Sequence, residues 1–220
     1  MCVKSEDSVG IFLGIRVFVA AGAIALLSAA TVSAATFNFG AGSPSTADFF
    51  DFTEDGIQLQ VSAGRWPGVG GPAPIDFGAR QVFQGSDGLG AVGVSDATEL
   101  DGAGGNDVLI FTFDHDVVIE EIVFGSVDDD DNFAFGLVVA GDFLREEDLI
   151  DVSNSVSVSS LSFAPLVGAS FGIGAKQTND NFTILQITVS KVPLPASALV
   201  LLIGLGGLAA VGSRKAQRQR

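Results

Sequence analysis

Several residue types are nearly missing from this 220-residue chain, and each scarcity closes a class of function. Cysteine occurs once, as Cys2, so the chain has no intramolecular disulfide framework and no paired-thiol chemistry. Histidine occurs once, as His115, and without other nitrogen or sulfur ligands it cannot complete a zinc site of the usual kind. Tyrosine is absent and tryptophan is represented by Trp66 alone, whereas phenylalanine occurs 18 times. Basic residues are scarce as well: 11 Lys and Arg stand against 26 Asp and Glu, for a formal net charge of −15. So acidic a chain repels polyphosphate, which argues against nucleic acid or an anionic membrane surface as a partner.

Long apolar runs are confined to the two ends. Residues 1–35 have the pattern of a secretory signal. Lys4 and Arg16 supply positive charge, Val17 to Leu27 form an apolar core, and the small residues Ser28-Ala-Ala-Thr-Val-Ser-Ala-Ala35 follow. Cleavage after Ala34 or Ala35 fits the small-residue rule and would remove Cys2. The second run, Ala196 to Val211, would extend about 24 Å as a helix at about 1.5 Å per residue. Counted from Pro193 to Gly212 it reaches about 30 Å, the thickness of a hydrocarbon core. It is therefore expected to be a transmembrane helix that just spans. Arg214, Lys215, Arg218 and Arg220 follow it. The excess of positive charge orients the tail to the cytoplasm and the acidic segment before it to the outside.

The order Val192-Pro193-Leu194-Pro195-Ala196, apolar run, basic stop resembles the PEP-CTERM sorting domain, and more narrowly its VPLPA-CTERM variant. The two prolines fix φ and remove amide donors, so the motif stays extended in front of the helix. The resemblance covers residues 192–220. It implies an exported protein of a Gram-negative, exopolysaccharide-producing cell, held in the inner membrane by its C-terminal helix. It further implies processing by an exosortase-like transpeptidase, followed by release to the cell surface or the extracellular space.

Between the ends, residues 36–191 are long enough for one domain with a real core. Five basic residues there face 24 acidic ones, for a net charge of −19. The patterning is β throughout. Ile57-Gln-Leu-Gln-Val61 alternates apolar and polar, and Leu109-Ile-Phe-Thr-Phe113 is apolar on both faces. Strands are also expected at 36–40, 48–53, 80–84, 89–94, 117–124, 133–139, 156–158 and 169–174. In the stretch 182–189 the buried parity changes after Ile184, which predicts a β-bulge. Many short strands with Gly/Asp turns define an all-β ectodomain, an antiparallel β-sandwich or jelly-roll-like fold, ahead of the C-terminal transmembrane helix. Residues 64–74 are expected to form a turn-rich loop.

The candidate ligand set lies in Gly85 to Asp107. Asp87, Asp96, Glu99, Asp101 and Asp107 place hard oxygen donors on a glycine-rich backbone, which suits Ca²⁺. Solvated turn carboxylates are the competing reading, and the residues leave both open. The spacing Gly-Leu-Gly…Glu-Leu-Asp-Gly is similar to the ectodomains of many PEP-CTERM proteins and implies no activity. Asp128 to Asp131 lacks the glycine an EF-hand loop needs and is expected to be a solvated hairpin tip. His115, between Asp114 and Asp116, is expected in a hairpin turn. Trp66 is either a sugar-stacking ring or a packing anchor. The expected function is a non-catalytic exopolysaccharide- or biofilm-associated component. Two alternatives stand beside it: a calcium-dependent carbohydrate-binding module, and a secreted glycan hydrolase working through two carboxylates that 24 acidic residues do not single out.

Overall fold

Where side chains alternate in the sequence, the chain forms strands. The computed structural model describes residues 34–67, 73–93, 98–128, 131–150, 155–157 and 166–192. Residues 1–33 of the signal segment, Asp96, Pro193 to Ala196, the apolar run and the basic residues Arg214 to Arg220 lie outside them. No helix of the described residues is long and apolar enough to cross a membrane. The strands are β1 (Ala34–Asn38), β2 (Ser45–Ala47), β3 (Phe49–Glu54), β4 (Ile57–Trp66), β5 (Ala73–Pro74), β6 (Gln81–Gly85) and β7 (Gly88–Val92). They continue as β8 (Leu100–Asp101), β9 (Asn106–Gly125), β10 (Asn132–Val139), β11 (Asp142–Ile150), β12 (Ser155–Ser157), β13 (Val167–Ala175) and β14 (Asn181–Lys191).

Every strand pair is antiparallel, and the architecture is all-β and sandwich-like. One layer runs β3-β4-β9-β13-β10-β11-β5. The other centres on β14, which pairs with β1, with the later half of β9, with β8 and with the β7-β6-β2 ribbon. The 20-residue β9 belongs to both. Residues 106–113 pair with β4, and residues 117–125 pair with β14. The two halves of β9 do not pair with each other, so Asp114-His115-Asp116 is a corner between layers and not the expected hairpin. The Gln58 N–H donates to Asp114 Oδ1 at 3.2 Å across that corner.

Between the layers lies a core of Phe, Ile, Leu and Val. Phe37 of β1 meets Phe113 of β9 edge-on with ring centroids 6.1 Å apart, and Phe39 meets Phe52 of β3 at 5.0 Å. Phe124 and Phe133 are 4.8 Å apart. Phe37, Phe39, Phe111, Phe133, Phe135, Phe143, Phe171 and Phe182 are fully buried, and a phenolic hydroxyl at such a position would need a hydrogen-bond partner. Each buried ring contributes about 1.5–3 kcal/mol of hydrophobic stabilisation.

The bulge predicted in β14 is present. Ile184 opposes Phe124 and Gln186 opposes Val123, leaving Leu185 unpaired in the register. One other expectation is corrected, and one strand is new. Residues 64–66 are the end of β4, not loop, because the outer face of the first layer is itself covered there by a second apolar cluster containing Trp66, Ile75, Val108, Ile110 and Phe143. Asp142–Ile150 forms β11, a strand rich in charge, closed onto β10 by the two-residue turn Ala140-Gly141 with φ of 54° and 89°. Such a turn matches the strand twist, and Phe143, fully buried in the second apolar cluster, anchors the strand.

Candidate functional site

The glycine-rich stretch that carries the candidate calcium ligands is first of all a packing device. Leu89 and Leu100 are fully buried in the core. Gly90 lies so close to the backbone of Thr98, and Gly102 so close to that of Gln177, that a methyl group at either position would collide with a carbonyl oxygen. The Gly-Leu-Gly…Glu-Leu-Asp-Gly spacing thus alternates core anchors with points where two backbones touch.

The five candidate ligands are distributed accordingly. Asp87 is exposed in the β6–β7 turn, where its carbonyl accepts the Thr183 hydroxyl and its carboxylate accepts Ser86 Oγ at 3.3 Å. Glu99 is half-buried. Asp101 and Asp107 are brought together: the Asp101 N–H donates to Asp107 Oδ2 at 3.4 Å, and Asp101 Oδ1 accepts the Ala103 N–H at 2.8 Å. Among the described residues no group of three or more His, Cys, Asp or Glu side chains is arranged to hold a metal ion.

Asp107 has a different partner. Arg80 Nε donates to its Oδ1 at 2.5 Å, and both side chains are buried. Arg80 also donates to the carbonyls of Ala79 (3.2 Å) and Gly105 (3.3 Å). Burial raises the Asp107 carboxyl to about 7, against the lowering effect of Arg80, so desolvation outweighs the ion pair. A cation at Asp107 would have to displace a guanidinium already seated there. Arg80 also lines an open cleft of about 800 Å³ with Thr46, Asp48, Phe77 and Gln81.

Sequence reasoning missed a second carboxylate pair. Asp131, expected on a solvated tip, is fully buried, and Asp180 is 1% exposed. Asp131 Oδ1 accepts the Asn181 N–H and its Oδ2 the Asp128 N–H, each at 2.7 Å. Asp180 Oδ1 accepts the Asn132 N–H at 3.0 Å, and its Oδ2 accepts those of Lys176 (2.7 Å) and Gln177 (2.5 Å). Each aspartate thus binds the residue that follows the other, clasping the segment before β10 to the segment before β14. The only hint in the sequence is that both precede Asn at the start of a strand.

Three other residues acquire definite roles. Trp66 is a packing anchor: it is 1% exposed, sits edge-on to Phe143 at 5.1 Å, and donates from Nε1 to the Ala175 carbonyl at 3.1 Å. His115 places Nδ1 2.6 Å from Asp114 Oδ1, while Nε2 has no hydrogen-bond partner. The expectation that the chain has no Gly-x-Ser-x-Gly elbow is corrected by the sequence itself, since Gly168-Ala-Ser170-Phe-Gly172 has that spacing. Here it lies within β13, with Ser170 Oγ 3.2 Å from Thr112 Oγ1. A catalytic triad needs the serine bonded to His Nε2 and presented on a strand-to-helix turn, and this serine has neither.

The fold and these sites define an antiparallel, sandwich-like all-β domain with an acidic character. Comparison with family models, curated proteins and solved structures found no match to the chain.

Proposed function

We propose that this chain is an exported envelope or extracellular-matrix protein, sorted by an exosortase-type transpeptidase and serving as a non-catalytic exopolysaccharide-associated component. In this reading residues 1–35 hold the signal peptide, with cleavage after Ala34 or Ala35. Residues 192–220 are the VPLPA-type sorting domain, whose transmembrane helix holds the jelly-roll-like ectodomain in the inner membrane until processing. The observation that carries the reading is where the last strand ends. β14 ends at Lys191, immediately before Val192-Pro193-Leu194-Pro195-Ala196. β1 begins at Ala34 and pairs Ala34 with Ser190, so the two segments proposed for removal leave the domain side by side. With cleavage after Ala34, removing both takes from the described strands only Ala34, the exposed first residue of β1. Cleavage after Ala34 suits the fold better than cleavage after Ala35, because Ala35 is fully buried.

Mass spectrometry of the protein recovered outside the cytoplasm tests this. The expected C-terminus lies at or near Pro193 to Ala196, with the apolar run and basic tail gone. An exported protein that keeps Arg220 refutes the sorting reading.

A further inference from the structure

The outer face of the first layer changes character along its strands. Toward one end it is sealed by Trp66, Val108, Ile110 and Phe143. Toward the other it carries a row of polar side chains in register across four strands: Asp51 of β3 opposes Gln60 of β4, Gln60 opposes Thr112 of β9, and Thr112 opposes Ser170 of β13. The row is bonded within itself. Gln60 Nε2 donates to Asp51 Oδ1 at 3.1 Å, and the Thr112 and Ser170 hydroxyls are 3.2 Å apart. Thr53, Gln58 and Asp114 form a second row beside it. An open groove of about 510 Å³ lies over these rows. At a strand spacing of about 4.8 Å, four strands make a row roughly 14 Å long. Phe49 stands two residues from Asp51 on the same face, about 7 Å along the strand, and is 50% exposed.

We propose that this face binds an extended glycan chain bearing free amino groups, an amino-sugar polymer. The proposal deepens the matrix reading above and rests on it for the class of polymer. Three features select the ligand. First, the amides of Gln58 and Gln60 and the hydroxyls of Thr53 and Thr112 donate and accept hydrogen bonds, which a chain dense in hydroxyls requires. Second, the half-exposed ring of Phe49 offers a flat apolar surface to the C–H face of a sugar and an electron-rich face to an ammonium group. Third, charge decides among glycans. The groove holds the carboxylates of Asp51 and Asp114 and no basic side chain, in a chain of net charge −15, so it attracts ammonium groups and repels uronates and sulfates. A basic peptide shares that charge. However, the backbone groups of β4 and β9 beneath the groove are already used in the ladder, so a peptide lying across the face finds no main-chain pairing there, and only the edge of β3, which pairs with β4 alone among the described strands, could take one.

Titration of the full-length chain with a glucosamine hexamer tests the proposal, with cellohexaose, polygalacturonate and a polylysine of matched charge as comparators. The hexamer is expected to bind more tightly than cellohexaose and much more tightly than polygalacturonate. Asp51→Asn is expected to weaken hexamer binding about tenfold or more, the loss of a charge-assisted hydrogen bond. Phe49→Ala is expected to weaken it about two- to tenfold. Val139→Ser, at an exposed residue off the groove, should leave it unchanged, and Trp66 fluorescence verifies that each variant is folded. No binding of the hexamer, or binding that ignores both groove variants, overturns the proposal. Tighter binding of polygalacturonate, with or without Ca²⁺, refutes the charge argument. Polylysine bound as tightly as the hexamer, with no effect of Phe49→Ala, points instead to a basic peptide. These results are independent of the mature C-terminus, so failure of the groove and failure of the sorting reading are separable.

Discussion

Replacing Asp180 by alanine should remove more stability than any exposed acidic substitution in this chain. The carboxylate is 1% exposed and accepts the N–H groups of Asn132, Lys176 and Gln177 at 3.0, 2.7 and 2.5 Å. The variant strands three backbone donors. A buried unsatisfied donor costs about 1–3 kcal/mol. Asn132 is enclosed, while the Lys176 and Gln177 amides are only part-buried and regain some water. The expected loss is therefore about 3–5 kcal/mol, and at about 2–4 °C per kcal/mol for a domain of this size the melting temperature falls by roughly 6–20 °C. Urea unfolding followed by fluorescence measures it without ambiguity, since Trp66 is the sole tryptophan and there is no tyrosine. Asp131→Ala breaks the reciprocal half of the clasp, in which Asp131 holds Asn181 and Asp128. Because both aspartates join the same two segments, the double variant should lose about 1 kcal/mol or more less than the sum of the singles. Asp142→Ala, exposed on β11, should change stability by less than about 0.5 kcal/mol. An Asp180→Ala loss no larger than that control, or strict additivity with Asp131→Ala, refutes the clasp.

Three further outcomes follow from the site. Asp107 is raised from 3.8 to about 7 by burial, so the folded state holds its proton more tightly than the unfolded chain does. The associated stability is complete below about pH 4 and is lost as pH rises through about 7, with a ceiling of about 4 kcal/mol. Urea unfolding between pH 4 and 8 should show this decline in the parent chain and a flatter profile in Asp107→Asn; identical slopes would exclude Asp107 as the titrating group. Gly102→Ala drives a methyl group into the Gln177 carbonyl and should cost about 1–3 kcal/mol by thermal unfolding, whereas a neutral result would mean the two loops do not touch. Because Arg80 already occupies Asp107, millimolar Ca²⁺ should leave the melting temperature unchanged; a rise that Asp101→Ala abolishes would instead establish an ion site among Asp87, Asp96, Glu99 and Asp101.

Periodicity in the sequence revealed strands where one face is wet and one is dry. Ile57, Leu59 and Val61 point inward while Gln58 and Gln60 are exposed, and the parity change at Leu185 marked a real bulge. Alternation failed where that asymmetry disappears. Trp66 closes β4 on a face that is covered on both sides, so its surroundings read as loop. The charged residues of β11 carry no hydrophobic period, and that strand is placed by its turn, its pairing with β10 and the buried ring of Phe143. Acidic residues were legible as a class and not as individuals. Asp51 faces a groove, Asp107 a guanidinium and Asp131 two backbone amides, yet nothing local distinguishes them, because the partners of Asp107 and Asp131 lie as far as 27 and 50 residues away in the chain. The same long-range pairing that hid the roles of single carboxylates created the polar row, since Asp51, Gln60, Thr112 and Ser170 become neighbours only when four strands are in register. A function written on a sheet face can be read only after the registers are known, whereas the proposal that Val192 to Ala196 is an address rests on contiguous residues alone.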